Sequence, residues 1–286
     1  MCRINNNKYP IKTISSLKLF KAFRNILFLL IVSILGWGCS TVPITGRKQI
    51  SFIPDSEMLA MSFNQYAQFI RNNKVIEGTK DARMVKRIGQ KISKSVEGYF
   101  AQKNMAEHLK GYDWEFNLID NKQVNAWCMP GGKVVVYTGI LPYTKTEEGL
   151  AVVIGHEIAH AVAEHGSERM SQQMLVQMGG MALSKAIEEK PVETRNLFMT
   201  AYGLGAQFGA LLPYSRLHES EADRLGLIFM AMAGYHPKHA ITFWQRMAEN
   251  SQGEDIPEFM RTHPSDQKRI NNLKKLQPEA MKYYKN

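Results

Sequence analysis

The sequence predicts an α+β domain that is mostly helical, with a small β-sheet beside one buried helix. Three observations carry that expectation. Long stretches with apolar residues at helical spacing dominate the chain. Only two runs, "DWEFNLID" (113–120) and "GKVVVYTGI" (132–140), alternate and are β-branched in the manner of strands. The stretch "VVIGHEIAHAVAEH" (152–165) sets three histidines and two glutamates into an otherwise apolar helix. With 286 residues, 44% of them apolar, the chain can bury a sizeable core.

The formal charge of +10 is concentrated at the start. Six of the 36 basic residues (Arg3, Lys8, Lys12, Lys18, Lys21 and Arg24) precede residue 39 and meet no acid there, which leaves 30 basic against 26 acidic residues. That remainder is an ordinary solvated surface, so nucleic acid is not an expected partner. The cations lead into the apolar run "ILFLLIVSILGWG" (26–38), too short for the roughly 20 residues of a spanning helix, in the order of a secretory signal. Cys39 at its end resembles the lipidated cysteine of bacterial lipoproteins, and Ser40 and Thr41 after it resemble the pattern directing such proteins to the outer membrane. The expected organisation is a signal peptide at 1–38, a lipidated N-terminus and linker at 39–54, and one domain at 55–286. An uncleaved inner-membrane signal anchor is the alternative. Cys128 is then the one cysteine left unmodified in the mature chain, and a buried, inert thiol is expected there.

Along the domain, "DSEMLAMSFNQYAQFIRNN" (55–73) reads as a helix capped by Asp55, and "DARMVKRIGQKISKSVEGYF" (81–100) as a second with Met84, Ile88 and Ile92 on one face. The two strands follow, separated by the turn residues Pro130, Gly131 and Gly132. Thr144 or Thr146 can cap the histidine-bearing helix, with Glu147 and Glu148 in its first turn. Met170, Met174, Met178 and Met181 then form a stripe at helical spacing, bounded by Gly179, Gly180, Gly203 and Gly205. Such a stripe suits a core, or a mobile lid over 167–213 whose adaptable side chains accept varied chains. After "YSRLHESEADRLGLIFMAM" (214–232) short helical segments and a fraying polar tail are expected.

The chemistry concentrates at His156 and His160. Four residues apart on a helix is about 400° of rotation and roughly 6 Å of rise, so both imidazoles leave one face and can bind zinc. Glu157 lies between them, where a carboxylate can move the proton of an attacking water. His165, about 900° from His156, is expected on the far side, and Glu164 in solvent. A catalytic zinc usually needs a third protein ligand. Ala163 and Gly166 exclude the metzincin pattern, and the absence of a second E-x-x-H pair argues against a di-iron carboxylate centre. Glu219, with Asp223 one turn on, can complete the site, while His218 and Glu221 compete on composition alone.

"GHEIAH" followed by "YSRLHESEADRLG", "VNAWCMPGGKVVVYTGIL" and "RTHPSDQKRI" together resemble the M48 family of zinc metallopeptidases over most of the mature chain. The resemblance implies a zincin-like fold and one zinc ion per chain. It also implies His156, His160 and Glu219 as ligands, Glu157 as general base and Asp223 behind a ligand. Cys128 and Trp127 depart from the family's smaller or plainer residues. His263 in "THP" is then an oxyanion donor, an occupant of the fourth zinc position or a structural residue, with Arg269 and Tyr214 as weaker oxyanion candidates. Residues 125–137 imply a sheet edge above the metal where substrate adds as a strand, with Asn125, Gly132 and Val134 as substrate contacts. The implied partners are unfolded or misfolded envelope proteins and, through the lipid, the membrane. The alternative is a non-hydrolytic lipoprotein that holds outer-membrane proteins.

Overall fold

Two short strands, β1 (Cys39–Thr41) and β2 (Lys48–Ile50), precede helix α1 (Asp55–Asn72) in the computed structural model, which describes residues 39–250 and 256–284. The apolar leader at 1–38 lies outside the described residues, as does the Cys39 side chain. Pro54 rather than Asp55 occupies the cap of α1, and Asp55 and Glu57 fall in its first turn, where the helix dipole favours them. Residues 41–54 are no free linker. Phe52 N donates to Ser171 Oγ (3.0 Å) and Gln49 Nε2 to Glu164 Oε2 (3.0 Å), so the segment is packed into the domain.

Strand β3 (Val75–Ile76) leads to α2 (Lys80–Gln102), capped by Thr79 Oγ1 accepting from Ala82 N at 3.1 Å. Its buried stripe Val85, Ile88, Ile92, Val96 and Phe100 repeats every three to four residues, the period that places a face on the core. Then come β4 (Glu115–Ile119), β5 (Ala126–Met129) and β6 (Lys133–Tyr137). The sheet order is β3-β4-β6-β5, with β4 and β6 parallel and the other pairs antiparallel. Strand period decides the packing of β6: Val134 and Val136 enter the main core, whereas Val135 and Tyr137 join a second cluster with Tyr66 and Ile119. The β5–β6 turn places Gly131 and Gly132 at φ 83° and 85°. A Cβ on Gly132 would meet the Trp114 ring at 2.4 Å, so glycine is required on both counts.

The one-turn helix α3 (Leu141–Thr144) precedes α4 (Glu147–Val162), which carries the histidine motif. Thr146 caps α4 by accepting from Gly149 N (3.1 Å), a contact worth about 1 kcal/mol. Nearly every α4 side chain is buried, which explains the apolar run from Leu150 to Ile154 between its acidic first turn and the histidine motif. Helices α5 (His165–Ala186) and α6 (Val192–Ala206) form a hairpin, and a π-helical turn (Gln207–Leu211) joins it to α7 (Leu212–Met232). Helices α8 (His239–Glu249), α9 (Glu258–Thr262) and α10 (Gln267–Met281) close the domain. The polar tail frays less than its composition predicts: α10 continues through Pro278, with Ala280 buried and Glu279 forked on Arg224.

Helix α4 packs on α7 at glycines. A Cβ on Gly226 would lie 3.1 Å from the His156 backbone, and one on Gly155 would lie 3.1 Å from Gly226 O. The two helices that bear the chemistry therefore touch almost backbone to backbone. The methionine stripe is not core. Met178 and Met181 are 59% and 66% exposed, and Leu197 and Phe208 further along are exposed as well. Among the described residues no helix is long and apolar enough to cross a membrane.

Candidate metal centre

Helical spacing brings His156 Nε2 and His160 Nε2 to 3.1 Å from each other. Glu219 arrives from α7, its Oε2 3.3 Å from His156 Nε2 and its Oε1 3.2 Å from His160 Nε2. The fourth member, His263, sits at the C-terminus of α9, where His263 N donates to Phe259 O (2.8 Å) before Pro264 ends the helix. Its Nδ1 lies 3.1 Å from His156 Nε2 and 3.0 Å from both Glu219 oxygens. One ligand atom from each of these four residues lies within 4.8 Å of all the others.

The set fits zinc. Ligands at 2.0–2.1 Å in a tetrahedron stand about 3.3 to 3.4 Å apart, and three imidazoles with one carboxylate are the donor chemistry zinc takes. The charge agrees as well. Burial works against ionisation of Glu219, yet the neighbouring His160, His156 and His263 hold its pKa far below the usual carboxylate range. Burial holds His160 well below its ordinary value, so that imidazole is neutral, as a ligand must be. Burial also opposes protonation of His156, but Asp223 and Glu219 raise it to about 9, a demand for positive charge that a bound cation meets.

Glu157 stands beside this cluster. Its side chain is buried, its Oε1 makes no hydrogen bond among the described residues, and the nearest imidazole nitrogen, His263 Nε2, is 3.4 Å away. Burial raises its pKa. Asp223 Oδ1 lies 3.2 Å from His156 Nδ1, off the hydrogen-bond axis, and both its oxygens accept from Arg269 (2.7 and 2.8 Å). Arg269 is therefore not free for an oxyanion: it is buried, stacked 3.4 Å from the Trp244 ring centroid, with Nη1 3.3 Å from Glu219 Oε2. Tyr214 lies against His218, 6.5 Å between rings, and does not line the cleft.

That cleft, of about 420 Å³, is floored by Glu157 and His160 and bordered by Asn125, Trp127, Cys128 and His263. The strand along it is β5, the sheet edge, so two expected substrate contacts are corrected. Val134 is fully buried in β6, an inner strand, and Gly132 is buried in the turn. Asn125 remains at the cleft. The Cys128 thiol is partly buried, and burial pushes its pKa well up, which suits an inert thiol. Arg169 and Arg261 also line the cleft and had no sequence signal beyond their charge.

His165 is the second correction. It does not lie on the far side of the motif helix, because α4 ends at Val162 and Glu164 adopts φ 57°, a left-handed break that starts α5 in a new direction. His165 Nδ1 thereby reaches 2.9 Å from His160 Nδ1, and burial lowers its pKa to about 4. Glu164 is partly buried, bonded by Gln49 and 3.6 Å from His108, rather than solvated. Of the competitors for the third ligand, His218 donates to Glu168 (2.8 Å) and Glu221 accepts from His165 (3.1 Å), so neither is in the donor set.

Comparison with known proteins agrees with this geometry. Residues 86–277 match the model of peptidase family M48. The chain is 39% identical over 169 residues to the mitochondrial metalloendopeptidase OMA1 of Schizosaccharomyces pombe, covering 58% of this chain and 48% of that protein. It is 28% identical over 299 residues to the Saccharomyces cerevisiae OMA1, covering 99% and 83%. It is 27% identical over 165 residues to the beta-barrel assembly-enhancing protease of Escherichia coli K12, covering 55% and 33%. The chain thus spans about half the length of the first of these relatives. With its H-E-x-x-H helix, a glutamate from a second helix and a matching segment over two thirds of its length, the chain belongs to peptidase family M48.

Proposed function

We propose that the chain is a zinc-dependent endopeptidase acting on unfolded or misfolded cell-envelope proteins. Glu157 carries this reading: a buried carboxylate with an unpartnered oxygen, beside a four-donor cluster at the floor of an open cleft. A protein that only binds needs no base there. Zinc held by His156, His160 and Glu219 would supply a Lewis acid that acidifies water and polarises the scissile carbonyl.

The remaining steps belong to the chain itself. Glu157 takes the proton of the attacking water and returns it to the leaving amine, and burial, which raises its pKa above the ordinary carboxylate value, makes it a stronger base for the first transfer. Arg269 and Asp223 keep His156 and Glu219 in register. The free edge of β5 would take substrate as an added strand, reading backbone rather than sequence. The exposed methionines of the α5–α6 hairpin, with Phe208 in the π-helical turn that follows it, offer an adaptable apolar surface to an unfolded chain. His263, at the fourth corner of the donor set, closes the site at rest and leaves when substrate arrives.

The envelope setting is supported by the cationic and apolar leader with its terminal cysteine, and by similarity to a bacterial beta-barrel assembly-enhancing protease. Lipid on Cys39 would tether the enzyme to the outer membrane, facing the periplasm. The rival reading, a lipoprotein that only holds such proteins, uses the same strand edge and hairpin.

The test compares the full chain in detergent with Glu157→Gln, measuring bound zinc and cleavage of casein. Zinc in both and a loss of about 10² to 10⁴ in cleavage by the variant are expected. Zinc in both with cleavage by neither would favour the holding protein, and zinc in neither would overturn the site.

A further inference from the structure

We propose that His165, Glu221 and Arg47 form a second brace on the metal centre, positioning His160 as Asp223 and Arg269 position His156. This rests on the zinc reading above. His160 faces the donor set through Nε2, which leaves Nδ1 to carry its proton. That proton points to His165 Nδ1, 2.9 Å away, which must accept. His165 then carries its own proton on Nε2 and donates it to Glu221 Oε2 (3.1 Å). Glu221 is fixed in turn by Arg47, whose Nε donates to the same oxygen at 2.7 Å, and by the Thr45 hydroxyl on Oε1. Every donor along the path has one acceptor, so the tautomer of each imidazole is determined. Reversing either would set two N–H groups against each other between His160 and His165, or take away the nitrogen that faces the metal.

Both braces run from an imidazole to a carboxylate on α7, by a 3.2 Å ionic contact at His156 and by hydrogen bonds through His165 at His160, and end on a buried or half-buried arginine. They differ in length and origin. The His156 brace stays within the matched peptidase segment, whereas Arg47 and Thr45 lie well before residue 86, in the segment expected to be a linker. Arg47 is held in place by a second, forked contact with Glu168 (2.7 and 3.0 Å), so its position does not depend on Glu221. His165 stacks on His218 with ring centroids 4.3 Å apart, which fixes the plane of the ring that bridges to His160. Residues 45–47 are thus part of the active centre, and Arg47, Glu221 and His165 are positioning residues.

The full chain is stripped of metal and titrated with Zn²⁺ against a chromophoric chelator, alongside His165→Ala, Glu221→Ala, Arg47→Ala and the double variant His165→Ala/Glu221→Ala. Melting of each zinc-free protein is followed in parallel. Loss of an outer partner typically costs 10- to 100-fold in metal affinity, and that range is expected for each single variant. Because the residues act in series, the double variant is expected to bind zinc no more weakly than the worse single one. Arg47→Lys, which restores the charge without the fork, should recover part of the loss. Arg47 is half-buried on the outside of the cluster, so its variants carry the test even where His165→Ala does not fold. Parent-like zinc affinity with a lowered zinc-free melting temperature would overturn the brace and leave only a packing role. Losses that multiply in the double variant would overturn it as well. No zinc on the parent would instead bring down the metal-site reading, and the brace with it.

Discussion

His263 Nδ1 lies 3.1 Å from His156 Nε2, 107 positions away in the chain, and 3.0 Å from both Glu219 oxygens. A histidine aimed at the ligand atoms competes for the open position a catalytic zinc needs. His263→Ala is therefore expected to keep its zinc through the other three ligands and to cleave casein severalfold faster than the parent. A fall of about 10²- to 10³-fold would identify His263 as a transition-state donor instead.

Glu168 couples the start of the chain to the hairpin, accepting both prongs of Arg47 and the His218 ring nitrogen. Burial works against its charge, but His218 and Arg47 lower its pKa to about 2 from an ordinary 4.5. The unfolded chain therefore binds a proton at higher pH than the folded one. The resulting stability, on the order of 3 kcal/mol, is present above pH 4.5 and is lost as pH falls toward 2. Thermal melts should show Glu168→Gln less stable at pH 7 and flatter than the parent between those pH values. Parallel curves would remove Glu168 from the acid transition.

The glycine contact between α4 and α7 sets the spacing of the metal ligands. Gly226→Ala places a methyl 3.1 Å from the backbone of His156, and rigid helices yield only by moving apart. Overpacking of this kind costs about 1 to 3 kcal/mol. A lower melting temperature together with weaker zinc binding is expected. Unchanged zinc affinity would mean that α7 shifts without carrying Glu219 away.

The exposed apolar face of the α5–α6 hairpin predicts a separation of binding from chemistry. Met178→Ser with Leu197→Ser should leave the melting temperature and the cleavage of a short peptide near parent values, because both side chains are largely exposed. The same variant should raise KM for unfolded casein severalfold. An unaltered KM would remove the hairpin from substrate capture.

Zinc itself should stabilise the fold, since its four candidate ligands come from α4, α7 and the end of α9. Removing it with a chelator is expected to lower the melting temperature, and Glu219→Ala should make the protein insensitive to added zinc. Equal melting with and without metal would argue against a bound ion.

The sequence by itself determined what depends on neighbours along the chain. Helical period placed His156 and His160 on one face, put Glu219 and Asp223 one turn apart, and marked β4 and β6 by β-branched alternation. The Thr146 cap and the Gly131–Gly132 turn were legible for the same reason. Tertiary structure decided the rest. A sheet order that inserts β6 between β4 and β5 made β5 the edge and buried Val134. One left-handed residue, Glu164, ended α4 and returned His165 to His160, where an unbroken helix would have carried it away. Packing across more than a hundred residues brought Arg47 to Glu168 and Glu221, and His263 to His156. Spacing along one helix is fixed by its backbone hydrogen bonds, but contact between elements depends on how their buried faces pack, which no single segment encodes.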